Sequence, residues 1–300
     1  MFRNVIVGVD GRSNGRDAVA LARLLVQPHE RLTLAYIHSL APIDGASAFR
    51  GIEDGDATRM LERERDATAV DAELITVAAS SVGRGLHYLT ESRGADLLVV
   101  GSCDRGFAGR VLVGNDTHAC LSGAPCAIAI APARYADTER VMERVIATVG
   151  VGYDGTPESE AALALARQLA TTHGATVRAL EVVQIPAFAY ASFPGVYRGG
   201  AFETMLTDAQ TRMAGLQGVA GEAVRGIASE ELAAFGERVD LLIVGSRGYG
   251  PVRRLILGST SERLASNARC PLLVLTRQAV SGPDQQIVPN SKEETTLTPA

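Results

Sequence analysis

The stretch between residues 240 and 261 has the residue types of an anion-binding loop. It begins with an apolar run, LLIV, typical of a strand buried on both faces, and it ends with hydroxyl residues before a Glu-Arg-Leu helix start. Glycines let backbone N–H groups approach a phosphate closely, and the first turn of a helix offers unpaired donors and partial positive charge. The candidate phosphate ligands are Gly245, Gly248, Gly258, Ser259 and Ser261. An ordinary strand–loop–helix connection with Ser259 as N-cap explains the same spacing, so the pattern alone leaves both interpretations open.

The sequence offers no catalytic constellation to accompany this loop. No Gly-Lys-Ser/Thr follows the glycines, so the phosphate-binding lysine and magnesium-binding hydroxyl of a Walker A loop are missing. Gly11-Arg12-Ser13 follows an apolar run, but no sequence feature places a base beside it. His118 and Cys120 are two residues apart and do not share a face of a helix. We therefore expect no catalytic residues.

The composition predicts a soluble chain with room for two globular domains. Its 300 residues are 46% hydrophobic and 21% charged, and a formal net charge of −5 provides no general electrostatic attraction to nucleic acid. No N-terminal signal and no bilayer-length apolar run are visible, so we expect a cytoplasmic protein that has no membrane partner. The four cysteines form no CxxC pair and the five histidines form no spaced ligand set, which argues against a metal site. Cys126 and Cys270 are expected to be small buried residues.

An internal duplication runs through the chain with a constant spacing of 144 residues. The segment DLLVVGS at 96–102 returns as DLLIVGS at 240–246. Three more pairs have this spacing: Asp10 and Asp154, Gly114 and Gly258, and Cys126 and Cys270. One register across so many anchors indicates two copies of a domain. We predict domains at residues 1–133 and 144–277, a charged linker between them, and a disordered tail at 278–300.

Each copy alternates strand-like and helix-like segments, which predicts an α/β fold with two tandem doubly wound domains. Ligands of such parallel sheets bind beyond the carboxyl ends of the strands, where the strand order reverses. Asp154 and Gly245 end the first and fourth strands of the second copy and could flank that crevice. Asp154 would then contact a hydroxyl or amino group of a ligand. A capping role at the following Gly-Thr-Pro-Glu helix start explains Asp154 equally well.

These residues resemble the universal stress protein family in its tandem two-domain form, over about residues 1–133 and 144–277. The nucleotide motif of that family is Gly, two residues, Gly, nine residues, Gly, then Ser or Thr. Gly245, Gly248, Gly258 and Ser259 satisfy every position. The resemblance implies two open five-stranded parallel sheets flanked by helices, and ATP, with Mg²⁺ as an option, as the ligand.

The resemblance also implies how ATP would lie in the second copy. Adenosine would border Asp154 and the region of Val182, and the phosphates would lie on the glycine loop with Ser259 and Ser261. Arg247 is a further phosphate contact or a solvated loop arginine, and Val182 is also explicable as a core residue. The expected role is that of an ATP-binding regulator of the stress response. A scaffold that binds no nucleotide and a slow ATPase are the alternatives.

The first copy departs from the motif. Asp104 replaces the second glycine, Asn115 replaces the Ser or Thr, and Asp116 comes next. Carboxylates near a phosphate position oppose binding by like-charge repulsion, and Asn115 or Asp116 can satisfy the helix N-terminus itself. The weaker first-copy counterparts of the site are Asp10, Gly101 and Gly114. We therefore expect the C-terminal copy to hold the nucleotide, and the N-terminal copy to bind it weakly or not at all.

The remaining expected partner is the protein itself. The two copies could pack together through edge strands near residues 127–131 and 272–275, as pairs of such domains often do. Pairing of whole chains into a homodimer is not readable from the sequence.

Overall fold

Strands and helices alternate through the N-terminal half of the chain. The computed structural model describes residues 1–39, 54–102, 115–138, 145–184, 201–246 and 259–275, and the structural statements below concern these residues. The first half contains β1 (Phe2–Gly8), α1 (Ser13–Leu25), β2 (Val26–Ser39), α2 (Asp54–Thr68), β3 (Glu73–Ala79), α3 (Val82–Arg93), β4 (Leu97–Gly101), α4 (Asn115–Leu121) and β5 (Ala127–Ala131). A 3₁₀ turn, Tyr135–Asp137, follows β5.

The C-terminal half repeats this order. It contains β6 (Thr148–Gly152), α5 (Pro157–His173), β7 (Thr176–Val183), α6 (Ala201–Ala214), β8 (Ala220–Arg225), α7 (Ala228–Gly236), β9 (Leu241–Gly245), α8 (Ser259–Asn267) and β10 (Leu272–Leu275). The bounds of α5 follow from its sequence: Thr156 is the N-cap, Pro157 is the first helical residue, and Gly174 ends the helix at a φ of 68°.

Two strand bounds differ from those that the hydrophobic pattern predicts. The run LTLAYI at residues 32–37 predicts a strand, and it lies within β2, which begins earlier, at Val26. Residues 27–31 are polar except for Pro28 and are largely exposed, and the pairing register shifts between Phe2 and Asn4. The sequence therefore shows no apolar–polar alternation in this part of the strand. The other difference is that β1 and β6 end two residues before Asp10 and Asp154, which therefore lie in the turns that follow.

The two halves have the same sheet topology. The strand order is β3-β2-β1-β4-β5 in the first half and β8-β7-β6-β9-β10 in the second, and all neighbours within a half are parallel. The order reverses between β1 and β4, and again between β6 and β9. The prediction of two doubly wound, five-stranded parallel units is confirmed.

The two halves meet at β5 and β10, which pair antiparallel. All ten strands therefore form one sheet, with β3 and β8 at its edges. Directly opposed residues are Leu272 with Ile130, Leu273 with Ala129, and Val274 with Ile128. The last strand of each half is therefore the strand through which the two halves are joined.

Apolar residues cover both faces of this sheet. Val5 and Val7 of β1 belong to the core formed with α1 and α5, whereas Ile6 belongs to the opposite core, formed with α3, α4, α7 and α8. This alternation is the period of two expected of a strand, and burial on both faces explains why the strands appear in the sequence as continuous apolar runs.

Cys126 and Cys270 are buried in the second of these cores, as predicted. Cys126 directly precedes β5, and Cys270 lies two residues before β10. Burial raises the pKa of both thiols to about 12, so both remain protonated at neutral pH. Neither is a reactive thiolate, which agrees with a packing role.

The connection that leaves the first half is anchored by a buried carboxylate. Asp17 of α1 is 1% exposed and accepts hydrogen bonds of 2.8 Å from the backbone N–H groups of Arg134 and Ala136. Tyr135, between them, is buried as well. The start of the charged linker predicted at 134–144 is therefore held against α1, and residues 139–144 lie outside the described part of the chain.

Candidate functional site

The predicted crevice lies where β6 and β9 run side by side. Val149, Gly150 and Val151 pair with Leu241, Leu242 and Ile243. The next helix after each strand, α5 and α8, begins at the carboxyl ends of the strands because it must return antiparallel to them. Asp154 and Gly245 thus come from neighbouring strand ends. Val182 is half-buried near the end of β7, which pairs with the other side of β6, and packs against the core.

Asp154 supports the start of α5 while keeping one oxygen available. Its Oδ1 accepts hydrogen bonds from the backbone N–H of Thr156 at 3.2 Å and from the Thr156 hydroxyl at 2.6 Å. Thr156 in turn caps α5 by accepting from the backbone N–H of Ser159 at 3.3 Å. Asp154 is exposed, and its Oδ2 accepts no hydrogen bond from a described residue. The carboxylate therefore acts on the cap residue, and this role leaves room for a ligand contact.

The equivalent carboxylate of the first half is more fully engaged. Asp10 Oδ1 accepts a hydrogen bond of 3.1 Å from the backbone N–H of Arg12, and its Oδ2 lies 3.5 Å from the Asn14 amide nitrogen and 3.9 Å from the Arg12 guanidinium. Arg12 stands where the second half has Thr156, and it makes no side-chain cap. Both oxygens of Asp10 thus face donors of the chain itself.

Gly245 allows the first turn of α5 to approach the end of β9. A β-carbon at this position would lie 2.8 Å from Glu158 Cβ and 3.0 Å from the Glu158 carbonyl carbon. The same relationship recurs at Gly101, where a β-carbon would meet the Asn14 carbonyl oxygen at 2.1 Å. Close helix–strand packing therefore accounts for the first glycine of the motif in both halves, and it brings the start of α5 beside the crevice.

The remaining motif residues are described only in part. Ser259 is the first residue of α8, and Ser261 is buried in its first turn. Arg247, Gly248, Gly258 and Gly114 lie outside the described residues, as does Asp104. Asn115 and Asp116 begin α4, so a helix starts at the predicted place in the first half too.

The first turn of α8 also contains an acidic residue, Glu262, that contacts a histidine of the N-terminal half. Glu262 Oε1 lies 3.2 Å from Nε2 of His118 on α4, and both side chains are about half exposed. A carboxylate in a first turn stabilises its own helix and repels other anions. Contact with His118 draws this carboxylate toward α4.

Two polar side-chain pairs close to the turn at Asp154, Tyr153 with Glu160 and Glu181 with Arg212, are not indicated by the sequence pattern. The Tyr153 hydroxyl donates to Glu160 of α5, and this hydrogen bond, together with burial, raises the pKa of Tyr153 to about 12. Glu181 of β7 is 7% exposed and accepts two hydrogen bonds from Arg212 of α6. The position of Glu181 among the apolar residues ALEVV of β7 is a signal that could have located the second pair.

Residues 11–15, GRSNG, have the Gly-x-Ser-x-Gly spacing of a nucleophile elbow. Ser13 is the first residue of α1 and is exposed. An elbow holds its serine in a strained backbone conformation, and Ser13 is not among the described residues with a positive φ. The spacing is therefore that of an ordinary strand-to-helix turn.

Two further properties concern the described residues as a whole. They contain no group of three or more His, Cys, Asp and Glu side chains that could hold a metal ion. They also contain no helix with both the length and the apolar character needed to cross a bilayer.

Comparison with known sequences gives the same duplicated pattern. The model of the universal stress protein family matches residues 1–132 and again residues 146–276. A universal stress protein of Mycobacterium tuberculosis is 26% identical over 294 residues, which cover 90% of this chain and 99% of that protein. A second one from the same organism is 30% identical over 195 residues, covering 61% of this chain and 62% of that protein.

Solved structures share the fold over both halves. A universal stress protein from Archaeoglobus fulgidus superimposes with a TM-score of 0.61 at 17% identity, covering 92% of this chain and 98% of that one. A protein from Pseudomonas aeruginosa described as a putative universal stress protein gives a TM-score of 0.63 at 14% identity, covering 93% and 95%. At these identities the likeness concerns the fold.

Proposed function

The chain belongs to the universal stress protein family, and from this we propose that its C-terminal half binds an adenine nucleotide that regulates the protein during stress. The observation that carries the proposal is the pairing of β6 with β9 at the reversal of strand order, with Asp154 in the turn after β6 and α8 as the next described element after β9. This is the position at which doubly wound sheets bind nucleotides. The complete Gly-x₂-Gly-x₉-Gly-Ser motif of residues 245–259 supports phosphate binding at the same place.

The two helix starts suit different parts of a nucleotide. Glu158 and Glu160 lie in the first turn of α5, so that end carries negative charge and suits the hydroxyl and amino groups of a nucleoside. Ser259, Thr260 and Ser261 open α8 with hydroxyl groups, which suit phosphate oxygens, and Glu262, the acid of this first turn, is in contact with His118. We therefore assign the nucleoside to the side of Asp154 and Val182, and the phosphates to α8, Gly248, Gly258 and Arg247. Mg²⁺, where it is present, would enter with the phosphates.

The asymmetry between the halves is part of the proposal. Asp10 is hydrogen-bonded through both oxygens to its own turn, whereas Oδ2 of Asp154 faces no donor among the described residues. Asp104 stands where the second half has Gly248. One ATP per chain, held by the C-terminal half, is the expected stoichiometry.

A bound nucleotide regulates a protein only if it has different affinities for two of its states. The proposed ligand residues belong to two separate elements, the turn after β6 and the start of α8. A change in the position of one element relative to the other would therefore change the affinity for the nucleotide. ATP that bridges them would favour the arrangement in which both are in place. We propose that a partner protein recognises this arrangement.

One observation favours a scaffold without nucleotide. Gly245 and Gly101 are both explained by helix–strand packing, and that explanation needs no ligand. A scaffold would therefore keep the first glycine of the motif, but it would have no need for Gly248, Gly258 and Ser259 as a set.

The nucleotide content of the purified full-length protein separates these functions. Nucleotide released by denaturation is identified and counted, and calorimetry with ATP, ADP and cyclic AMP measures stoichiometry. We expect one adenine nucleotide per chain, lost in the Gly248→Asp variant, which introduces the residue that the first half carries at the equivalent position. Two equivalent sites would contradict the asymmetry, and no binding at all would leave the scaffold.

We also propose that β5 and β10 remain paired in solution, so that the two halves of one chain stay joined to each other. The three opposed residue pairs of these strands are all fully buried, which supports the pairing. Hydrogen exchange of the amides at 128–130 and 272–274 measures it: slow exchange is expected, and exchange at the rate of exposed backbone would reject the pairing.

A further inference from the structure

The contact between the two halves is built around a local two-fold axis. Leu273 lies opposite Ala129, and these two residues are 144 positions apart, which is the spacing of the duplication. The flanking pairs, Leu272 with Ile130 and Val274 with Ile128, exchange places under the same spacing. Ala129 and Leu273 therefore hold one and the same position of the repeat and face each other at the axis.

The side chains at this position are unlike in volume. Ala129 and Leu273 are both 0% exposed and belong to the same core. A large side chain opposite a small one fills the space at the axis. Two leucines there would overpack it, and two alanines would leave a cavity.

A second position of the repeat meets itself across the axis and is unlike in charge. His118 and Glu262 are also 144 residues apart, and their side chains are joined at 3.2 Å. Two copies of the C-terminal half would place one glutamate against another, which is repulsive. Two copies of the N-terminal half would place histidine against histidine and forgo the carboxylate as acceptor.

We propose that these two positions form a pairing code. The code makes each half complementary to the other half and not to a second copy of itself. The interaction surface around β5 and β10 then selects the other half of the same chain and rejects like-with-like assembly with a second chain. The connection held by Asp17 keeps the two halves at high effective concentration, which favours closure within one chain. The inference rests on the pairing of β5 with β10 proposed above.

An exchange of the two core residues in the full chain tests the code. Leu273→Ala and Ala129→Leu are made separately and together, and thermal unfolding midpoints are compared. We expect Leu273→Ala to lower the midpoint by about 5–15 °C, because it leaves a cavity in a buried strand. The double variant should recover at least half of the summed loss of the single variants, because the large and small side chains have only changed places. A midpoint loss equal to the sum of the single losses would overturn the code.

A matched control uses the same residue types without the facing relationship. Leu272 is also fully buried but belongs to the core on the opposite face of the sheet. Ala129→Leu combined with Leu272→Ala should therefore show no recovery. Recovery in this control equal to that of the facing pair would count against the code.

Surface variants test the charge position without disturbing the core. His118→Glu places two carboxylates at the axis, and His118→Glu with Glu262→His restores the unlike pair in the opposite order. The thermal unfolding midpoint should be lower for His118→Glu than for the parent protein, because two carboxylates then face each other, and it should return toward the parent value in the exchanged variant. Equal behaviour of the single and exchanged variants would contradict the inference. If the amides of β5 and β10 are protected from hydrogen exchange while neither double variant regains stability, the pairing of the strands stands and only the code is wrong.

Discussion

Arg212 on α6 and Glu181 on β7 form a two-point ion pair, with distances of 3.0 Å between Nε and Oε2 and 2.6 Å between Nη2 and Oε1. The Glu181 side chain is 10% exposed, whereas that of Arg212 is 44% exposed. The aliphatic part of Arg212 also lies against the turn after β6, because a β-carbon on Gly155 would be 3.7 Å from its Cδ. This pair ties α6 to the strand that neighbours the candidate site.

Removal of the arginine should destabilise the protein more than removal of both partners. Arg212→Met leaves the Glu181 carboxylate buried without its counter-charge, and we expect a loss of about 2 kcal/mol, reduced from the cost of a fully buried pair because Arg212 is half exposed. Arg212→Met with Glu181→Met should be closer to the parent protein. Urea unfolding measures both, and a double variant less stable than Arg212→Met would contradict the explanation.

Gly245→Ala should be destabilising because its β-carbon would meet the backbone of Glu158. We expect a loss of about 1–3 kcal/mol in the free energy of unfolding, and a larger loss for Gly101→Ala, where the contact with the Asn14 carbonyl oxygen is shorter. Gly55→Ala is the matched control, since a β-carbon there would be 3.7 Å from Arg59 Nη1, an ordinary contact. Equal stability of Gly245→Ala and the parent would show that α5 does not need this close approach.

The parts of the structure that the sequence predicts are those fixed by local pattern and by repetition. The continuous apolar runs located β4, β5, β9 and β10, and burial of Cys126 and Cys270 followed from their place before such runs. The constant spacing of 144 residues indicated that the strand order of the first half recurs in the second.

What the sequence could not give are contacts whose partners are far apart and have no periodic pattern. Tyr153 with Glu160 and Glu181 with Arg212 depend on the direction of individual side chains across three elements. His118 and Glu262 could be aligned by the spacing of the repeat, but only the antiparallel register of β5 and β10 brings them together. The irregular start of β2 was missed because its polar residues 27–31 do not alternate.

Stability should fall as the pH rises from about 10 toward 12. The pKa of Tyr153 is raised from 10.0 to about 12 by its hydrogen bond to Glu160 and by burial. Between these values the unfolded chain has lost the tyrosine proton while the folded chain keeps it, so raising the pH favours unfolding. Cys126 and Cys270, whose pKa values are raised from 9.0 to about 12 by burial, act in the same direction.

Tyr153→Phe isolates the contribution of the tyrosine. Urea midpoints at pH 9, 10 and 11 should fall less steeply in this variant than in the parent, because phenylalanine has no proton to release on unfolding. The cysteines remain in both proteins and serve as the internal reference. An unchanged slope would mean that Tyr153 titrates alike in the folded and unfolded chain.

Asp154→Asn compared with Asp10→Asn tests the division of roles between the halves. Asparagine keeps an oxygen that can accept from Thr156, and it is as good as aspartate at a helix start, so the turn and α5 should survive. It replaces the second oxygen, which is available to a ligand hydroxyl, by an amide donor. Loss of a hydrogen bond to a charged acceptor predicts ATP binding weakened about tenfold or more.

The same change at Asp10, where both oxygens already face donors of their own turn, should change ATP affinity less than about twofold. Calorimetry on the two full-length variants, with unfolding midpoints recorded as a check on folding, decides the matter: equal losses of affinity would place the nucleotide in both halves, and no loss in either would remove Asp154 from the site.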